Sequence, residues 1–193
     1  GVWWDEPEKN IKREGQRSMA NNSVAYKGKP EMGTFMREWL ALYESHSGER
    51  GIFNRQSAKV QAAKNGRRDT DHAFGCNPCS EIILRPYQFC NLSEVVARAS
   101  DNKESLAWKV QMATILGTFQ STMTDFKYLR KVWQRNTEEE RLLGVSLTGI
   151  MDNQILSGKS STYGMNIGSL LEELRDVAVE TNRVFAQHLG IAQ

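Results

Sequence analysis

No apolar run in this chain approaches the ~20 residues that a bilayer-spanning helix needs. The first ten residues, GVWWDEPEKN, carry neither the basic start nor the apolar stretch of a secretory signal. The expectation is therefore a cytoplasmic protein with no membrane partner. Charge of one sign is missing too: 25 Lys and Arg against 23 Asp and Glu leave a net charge of +2, so composition implies no nucleic-acid partner. The one local basic concentration, KNGRRDTD (64–71), reads as a solvated loop. Cysteine is scarce, and its odd count of three favours thiol chemistry over a structural disulfide framework. What is present is ordinary: 193 residues, 39% of them hydrophobic, enough for one domain with a real core and far from the compositions of collagen or disordered chains.

Periodicity divides the chain into helices separated by short loops. Phe35, Met36, Trp39, Leu40 and Tyr43 recur at spacings of three and four, which predicts a helix over 32–47 stopped by Gly48 and Gly51. Asp101 followed by Glu104 reads as a capping box. It opens a long, well-buried helix whose stripe is Trp108, Met112, Ile115, Phe119, Met123 and Phe126. Thr137 and Glu140 repeat the capping signal ahead of LLGVSLTGI, a β-branched run between glycines that predicts a buried strand. Leu170, Leu171, Leu174, Val177, Ala178, Thr181, Val184 and Phe185 define a last helix ending at Gly190. NSVAY (22–26) and SEIIL (80–84) are further strand candidates. Helices alternating with isolated strands predict an α/β fold, helix-rich. Each strand stands far from the next, and parallel strands need helical crossovers, so remaining strands of the sheet are expected outside this sequence.

All three cysteines fall in GCNPCSEIILRPYQFCNLSEVV (75–96). Cys76 and Cys79 form a C-x-x-C pair, so a dithiol–disulfide oxidoreductase is one hypothesis; but the residues before it are too polar for the expected strand, and those after it are too β-prone for the expected helix. A zinc site would need His72 as fourth ligand in a compressed geometry unlike common sites, and no metal is expected. In extended backbone, Asn77, Cys79 and Glu81 would point to one side and bring an amide, a sulfur and a carboxylate to one small volume. Such a set can hold hydroxyls, move a proton and perform nucleophilic or one-electron chemistry.

The stretch NPCSEIILRPYQFCNLSEV resembles the active-site finger loop of ribonucleotide reductase large subunits, in the form of the class II, adenosylcobalamin-dependent ribonucleoside-triphosphate reductases. RSMANNSVAY, SGERGIFNR, GTFQSTMTDFKYLRKVW and EEERLLGVSLTGIMD resemble segments of that family in the expected order. The resemblance implies that Cys79 becomes a thiyl radical and takes the ribose 3′ hydrogen, that Glu81 accepts the 3′-hydroxyl proton, and that Asn77 holds the sugar hydroxyls. It implies that Cys90 is one of two cysteines that supply reducing equivalents, and that adenosylcobalamin makes the radical. Asn21, Asn22 and Ser23 become candidates for substrate contact, although an Asn-rich turn before a strand explains them equally well. Cys76 matches no family role and reads as structural.

The resemblance further implies part of a ten-stranded α/β barrel, with residues 1–193 forming its central segment and the finger loop at about 75–92. Expected partners are a ribonucleotide substrate, a nucleotide effector, thioredoxin or another dithiol as reductant, and companion chains carrying the rest of the reductase. The second reducing cysteine of the family is absent from positions 1–75, so the chain alone is expected to be inactive. A non-catalytic interaction module remains the other alternative.

Overall fold

The computed structural model describes residues 23–46, 51–159 and 166–193. Asn21, Asn22 and the expected stop at Gly48 lie outside the described residues. The chain divides between Pro86 and Tyr87 into two compact units, a boundary that falls inside the expected finger loop.

In the first unit the strand expected at 22–26 forms as β1, Ser23–Tyr26. Its partner is β2, Gly51–Asn54, and the two run parallel with Ser23 opposite Gly51 and Tyr26 opposite Asn54. The crossover that this parallel pair requires contains α1, Met32–Ser45. Glu31 caps α1: its carboxylate accepts from the Gly33 and Thr34 amides at 2.9 and 2.8 Å, and these bonds hold its pKa below the usual carboxylate range. The helix ends on His46 in the left-handed conformation rather than at a glycine, and Gly51 opens β2 instead. No α1 residue is buried, and Met36, Trp39, Leu40 and Tyr43 are all exposed. At the end of β2 the Asn54 side chain accepts from the Ser57 amide at 3.0 Å, so strand passes directly into α2, Arg55–Ala63. Ala58 and Ala62 of α2 pack on the fully buried Phe74, with Phe53 and Ile83 beside them.

The second unit is built on β5, Asn91–Val96, and β6, Leu143–Thr148, parallel and in register from Asn91 opposite Leu143 to Val96 opposite Thr148. Their crossover contains α3, Lys103–Gln120, and α4, Lys131–Glu140. The last helix forms as α5, Ile167–Leu189, with Gly190 left-handed after it as expected. Val95, Ala97, Leu106, Val110, Leu156, Leu170 and Leu174 make the core between α3, α5 and the strands.

Three sequence expectations are corrected here. The cap of α3 is Asn102, which exchanges hydrogen bonds with Ser105, while Asp101 binds the Ser105 hydroxyl and Lys109. The buried stripe of α3 is Leu106, Val110, Thr114, Gly117 and Thr118; Trp108, Met112, Phe119 and Met123 are exposed. Close approach explains the choice, because a Cβ on Gly117 would lie 2.1 Å from Leu143 Cδ1, so the strands accept only the small-residue face. Thr137 and Glu140 lie within α4, buried near its end, and cap nothing.

Beyond β6 the chain turns at Gly149, where φ is +72° and a Cβ would meet the Ala97 carbonyl oxygen at 2.2 Å. Asn153, fully buried, then ties the turn together. Its amide donates to the Arg98 and Asp101 carbonyls at 2.9 Å each, and its carbonyl accepts from the Ile155 and Leu156 amides at 3.0 Å.

The architecture among the described residues is thus mixed α/β and helix-rich, with three two-stranded sheets. No closed barrel forms among them. No described helix is long and apolar enough to cross a membrane.

Candidate functional site

The first two cysteines sit on a hairpin. β3, Gly75–Cys76, pairs antiparallel with β4, Ile83–Leu84, so only the last two residues of the strand expected at 80–84 enter a ladder. Between them the backbone turns rather than extends. Ser80 donates its amide to the Asn77 carbonyl at 3.0 Å, and Ser80 itself has φ of +66°. The expected alternation of Asn77, Cys79 and Glu81 along extended backbone is therefore replaced by a tight turn. Asn77 governs it twice. Its amide N–H donates to the Ile82 carbonyl at 3.3 Å, and its side-chain carbonyl accepts from the Ile82 amide at 3.0 Å. The turn holds Asn77 half-buried at its root and leaves Cys79 and Glu81 exposed at its tip.

The root of the hairpin is anchored. Phe74, immediately before β3, is the centre of the α2 core, and its carbonyl accepts from Arg55 Nε at 2.7 Å. Arg68 donates to the Ile83 carbonyl at 2.9 Å with its guanidinium 5.0 Å from the Phe74 ring centroid. The stretch 64–71, read as a solvated loop, thus contributes an anchor for β4. The only sequence signal was two arginines shortly upstream of a cysteine-rich turn.

Cys90 lies in the second unit, half-buried at the entrance to β5. The three residues leading to it, Tyr87, Gln88 and Phe89, are pinned to α4. Gln88 is buried and donates to the Asn136 carbonyl at 3.1 Å and to the buried Glu140 carboxylate. On either side of it, Tyr87 meets Trp133 edge-on and Phe89 stacks on Trp133 with centroids 4.6 Å apart. Arg130 lies over the Tyr87 ring at 4.6 Å. Ser23 begins β1 beside Gly51, in a different element from the hairpin. Cys76 and Cys79 are free thiols. Among the described residues no three His, Cys, Asp or Glu side chains gather as a metal site.

Comparison with known proteins finds curated relatives across most of this sequence. An adenosylcobalamin-dependent ribonucleoside-triphosphate reductase of Lactobacillus acidophilus is 32% identical over 91% of this chain and 26% of its own length. That of Lacticaseibacillus paracasei is 29% identical over 69% of this chain and 19% of its own length. That of Levilactobacillus brevis is 31% identical over 70% and 18%. This chain is a relative of the adenosylcobalamin-dependent ribonucleoside-triphosphate reductases. It spans about a fifth to a quarter of the length of those it matches. No family model matches the sequence, and no solved structure matches it.

Proposed function

We propose that this chain is the central catalytic segment of a ribonucleoside-triphosphate reductase and contributes the thiol hairpin of a thiyl-radical mechanism. The similarity to these reductases over as much as 91% of the chain carries the proposal. The hairpin supports it by offering a thiol and a carboxylate on one exposed tip above an anchored root. On this reading Cys79, as a thiyl radical, takes the ribose 3′ hydrogen while Glu81 accepts the 3′-hydroxyl proton. The 2′-hydroxyl leaves as water, and Cys90 with a second cysteine from outside this chain gives up two electrons and closes as a disulfide. Asn77 commits its carbonyl to Ile82 and so presents its NH2 as a donor to a sugar oxygen. The barrel, the effector nucleotide, the dithiol reductant and any role of Asn21, Asn22 and Ser23 belong to the same proposal.

Adenosylcobalamin is named by the relatives. The described residues do not fit it: no donor cluster assembles among them, and Cys79 is exposed at the tip of the hairpin. Its site, and the cover that would keep water from the radical, are proposed to come from the rest of the reductase.

The test is a chimera in which this chain replaces the matched quarter of the Lactobacillus acidophilus reductase. With adenosylcobalamin, a ribonucleoside triphosphate and a dithiol, the chimera should form deoxynucleotide and its Cys79→Ser variant should form none. A folded chimera with no turnover, or a Cys79→Ser variant that still turns over, would overturn the reading.

A further inference from the structure

Cys76 has no part in the reaction proposed above, and the structure does not place it among the core residues. It is half-buried in β3, and its sulfur lies 3.5 Å from the Ser80 hydroxyl oxygen, directed across the turn toward the residue that follows Cys79. Cys79 occupies the third position of that turn and is exposed. The two thiols are therefore separated by Asn77 and Pro78 alone, on one hairpin whose tip residues 78–81 are all exposed. Cys90 lies eleven residues beyond Cys79, in the other unit.

We propose that Cys76 is a resolving thiol that captures Cys79 as a reversible intrahairpin disulfide when the tip meets a small-molecule disulfide. The Cys79 thiolate attacks one sulfur of the oxidant RSSR, forming Cys79–S–S–R and releasing one RSH after protonation. The Cys76 thiolate then attacks the Cys79 sulfur, the Cys76–Cys79 bond forms, and the second RSH leaves. The two cysteines lose two electrons and two protons, and these reduce RSSR to two RSH. Two features favour the second step. The intervening loop is short, so closure costs little chain entropy. The tip residues 78–81 are all exposed, so the turn can shift to bring the sulfurs into bonding geometry. The product withholds the Cys79 thiol from any radical or nucleophilic chemistry until a dithiol restores it. The inference concerns thiol exchange alone and stands or falls independently of the reductase reading.

The experiment uses the 193-residue chain, its Cys76→Ser and Cys90→Ser variants, and oxidised glutathione as the probe. Cleavage after Glu81 separates Cys90 from the other two cysteines, so mass spectrometry of the upstream peptide reads the pair directly. The native chain and Cys90→Ser should give a peptide lighter by two hydrogens, restored by dithiothreitol. Cys76→Ser should instead accumulate the glutathione adduct on Cys79, roughly tenfold more than the native chain. A persistent glutathione adduct on Cys79 in the native chain, or a Cys79–Cys90 disulfide as the main product, overturns the proposal. An unmodified Cys79 in all forms overturns it as well. Circular dichroism of each variant separates these outcomes from loss of fold.

Discussion

Asn77 has two duties in one side chain, and they can be separated by chemistry. Its carbonyl closes the hairpin on the Ile82 amide at 3.0 Å, and in the proposed mechanism its NH2 is the donor to a sugar oxygen. Asn77→Asp keeps the acceptor and loses the donor, whereas Asn77→Ala loses both. In the isolated chain, hydrogen exchange at the Ile82 amide should stay protected in the Asp variant and accelerate by about fivefold to tenfold in the Ala variant, the equivalent of ~1 kcal/mol for one hydrogen bond. In the chimera both variants should lose turnover. Equal exchange in the Ala variant and the native chain would show that the side chain does not hold the turn. A second residue of this kind is Asp101. Its pKa is held below the usual carboxylate range by the hydrogen bond from the Lys109 ammonium first, then by the Arg98 amide and the Ser105 hydroxyl. Because the folded value lies below the unfolded one, its stabilisation is present above the unfolded pKa of about 4 and disappears as pH falls through the folded value. Acid titration of denaturant midpoints should show this loss below about pH 4, and Lys109→Met should flatten it.

At the scale of elements, the two faces of α3 make opposite demands. The face that meets β5 and β6 is built from small and medium side chains, with Gly117 at the closest approach, and the larger Trp108, Met112 and Leu116 stay outside. Leu106→Ala should lower stability by about 2–5 kcal/mol, while Leu116→Lys should change it by less than about 0.5 kcal/mol. Urea midpoints of the two variants decide the matter, and a large cost at Leu116 would show that the outer stripe is covered in solution. The sequence favoured the wrong stripe because bulk apolar side chains dominate a periodicity count, whereas close packing against strands selects for smallness. Other elements were legible for plain reasons: α5 has one continuous apolar stripe and a terminal glycine, and β6 lies in a β-branched run marked by glycines. Helix α4 was not, since the residues it buries, Asn136, Thr137 and Glu140, are polar and leave no apolar period. β5 was missed because its outward positions include Leu92 and Val96, so its apolar residues do not alternate with polar ones. Within the candidate site Asn77, Cys79 and Glu81 were singled out by residue type and alternation, and Cys90 by the family resemblance. The turn that arranges the first three depends on Ser80 entering a conformation uncommon for a residue with a side chain, and no pattern announced it.

For the whole molecule, parallel strands and uncovered apolar surface point the same way. Parallel sheets are ordinarily covered on both faces, yet the outward side of β5 exposes Leu92 and Val96. The α1 face of Met36, Trp39, Leu40 and Tyr43 is exposed too, as is the outer α3 stripe. Large apolar side chains exposed on several elements in this way mark surfaces on which other polypeptide can pack. The relatives are about four to six times longer than the stretch matched here, so they contain further polypeptide that can cover such surfaces. The chain alone should therefore show helical circular dichroism together with strong binding of an apolar dye such as anilinonaphthalene sulfonate, or self-association on sedimentation. Placed in the chimera, the same residues should bind the dye far more weakly, because the exposed faces acquire partners. A monomeric chain that binds no dye and unfolds cooperatively at high denaturant would mean that these surfaces are tolerated in water.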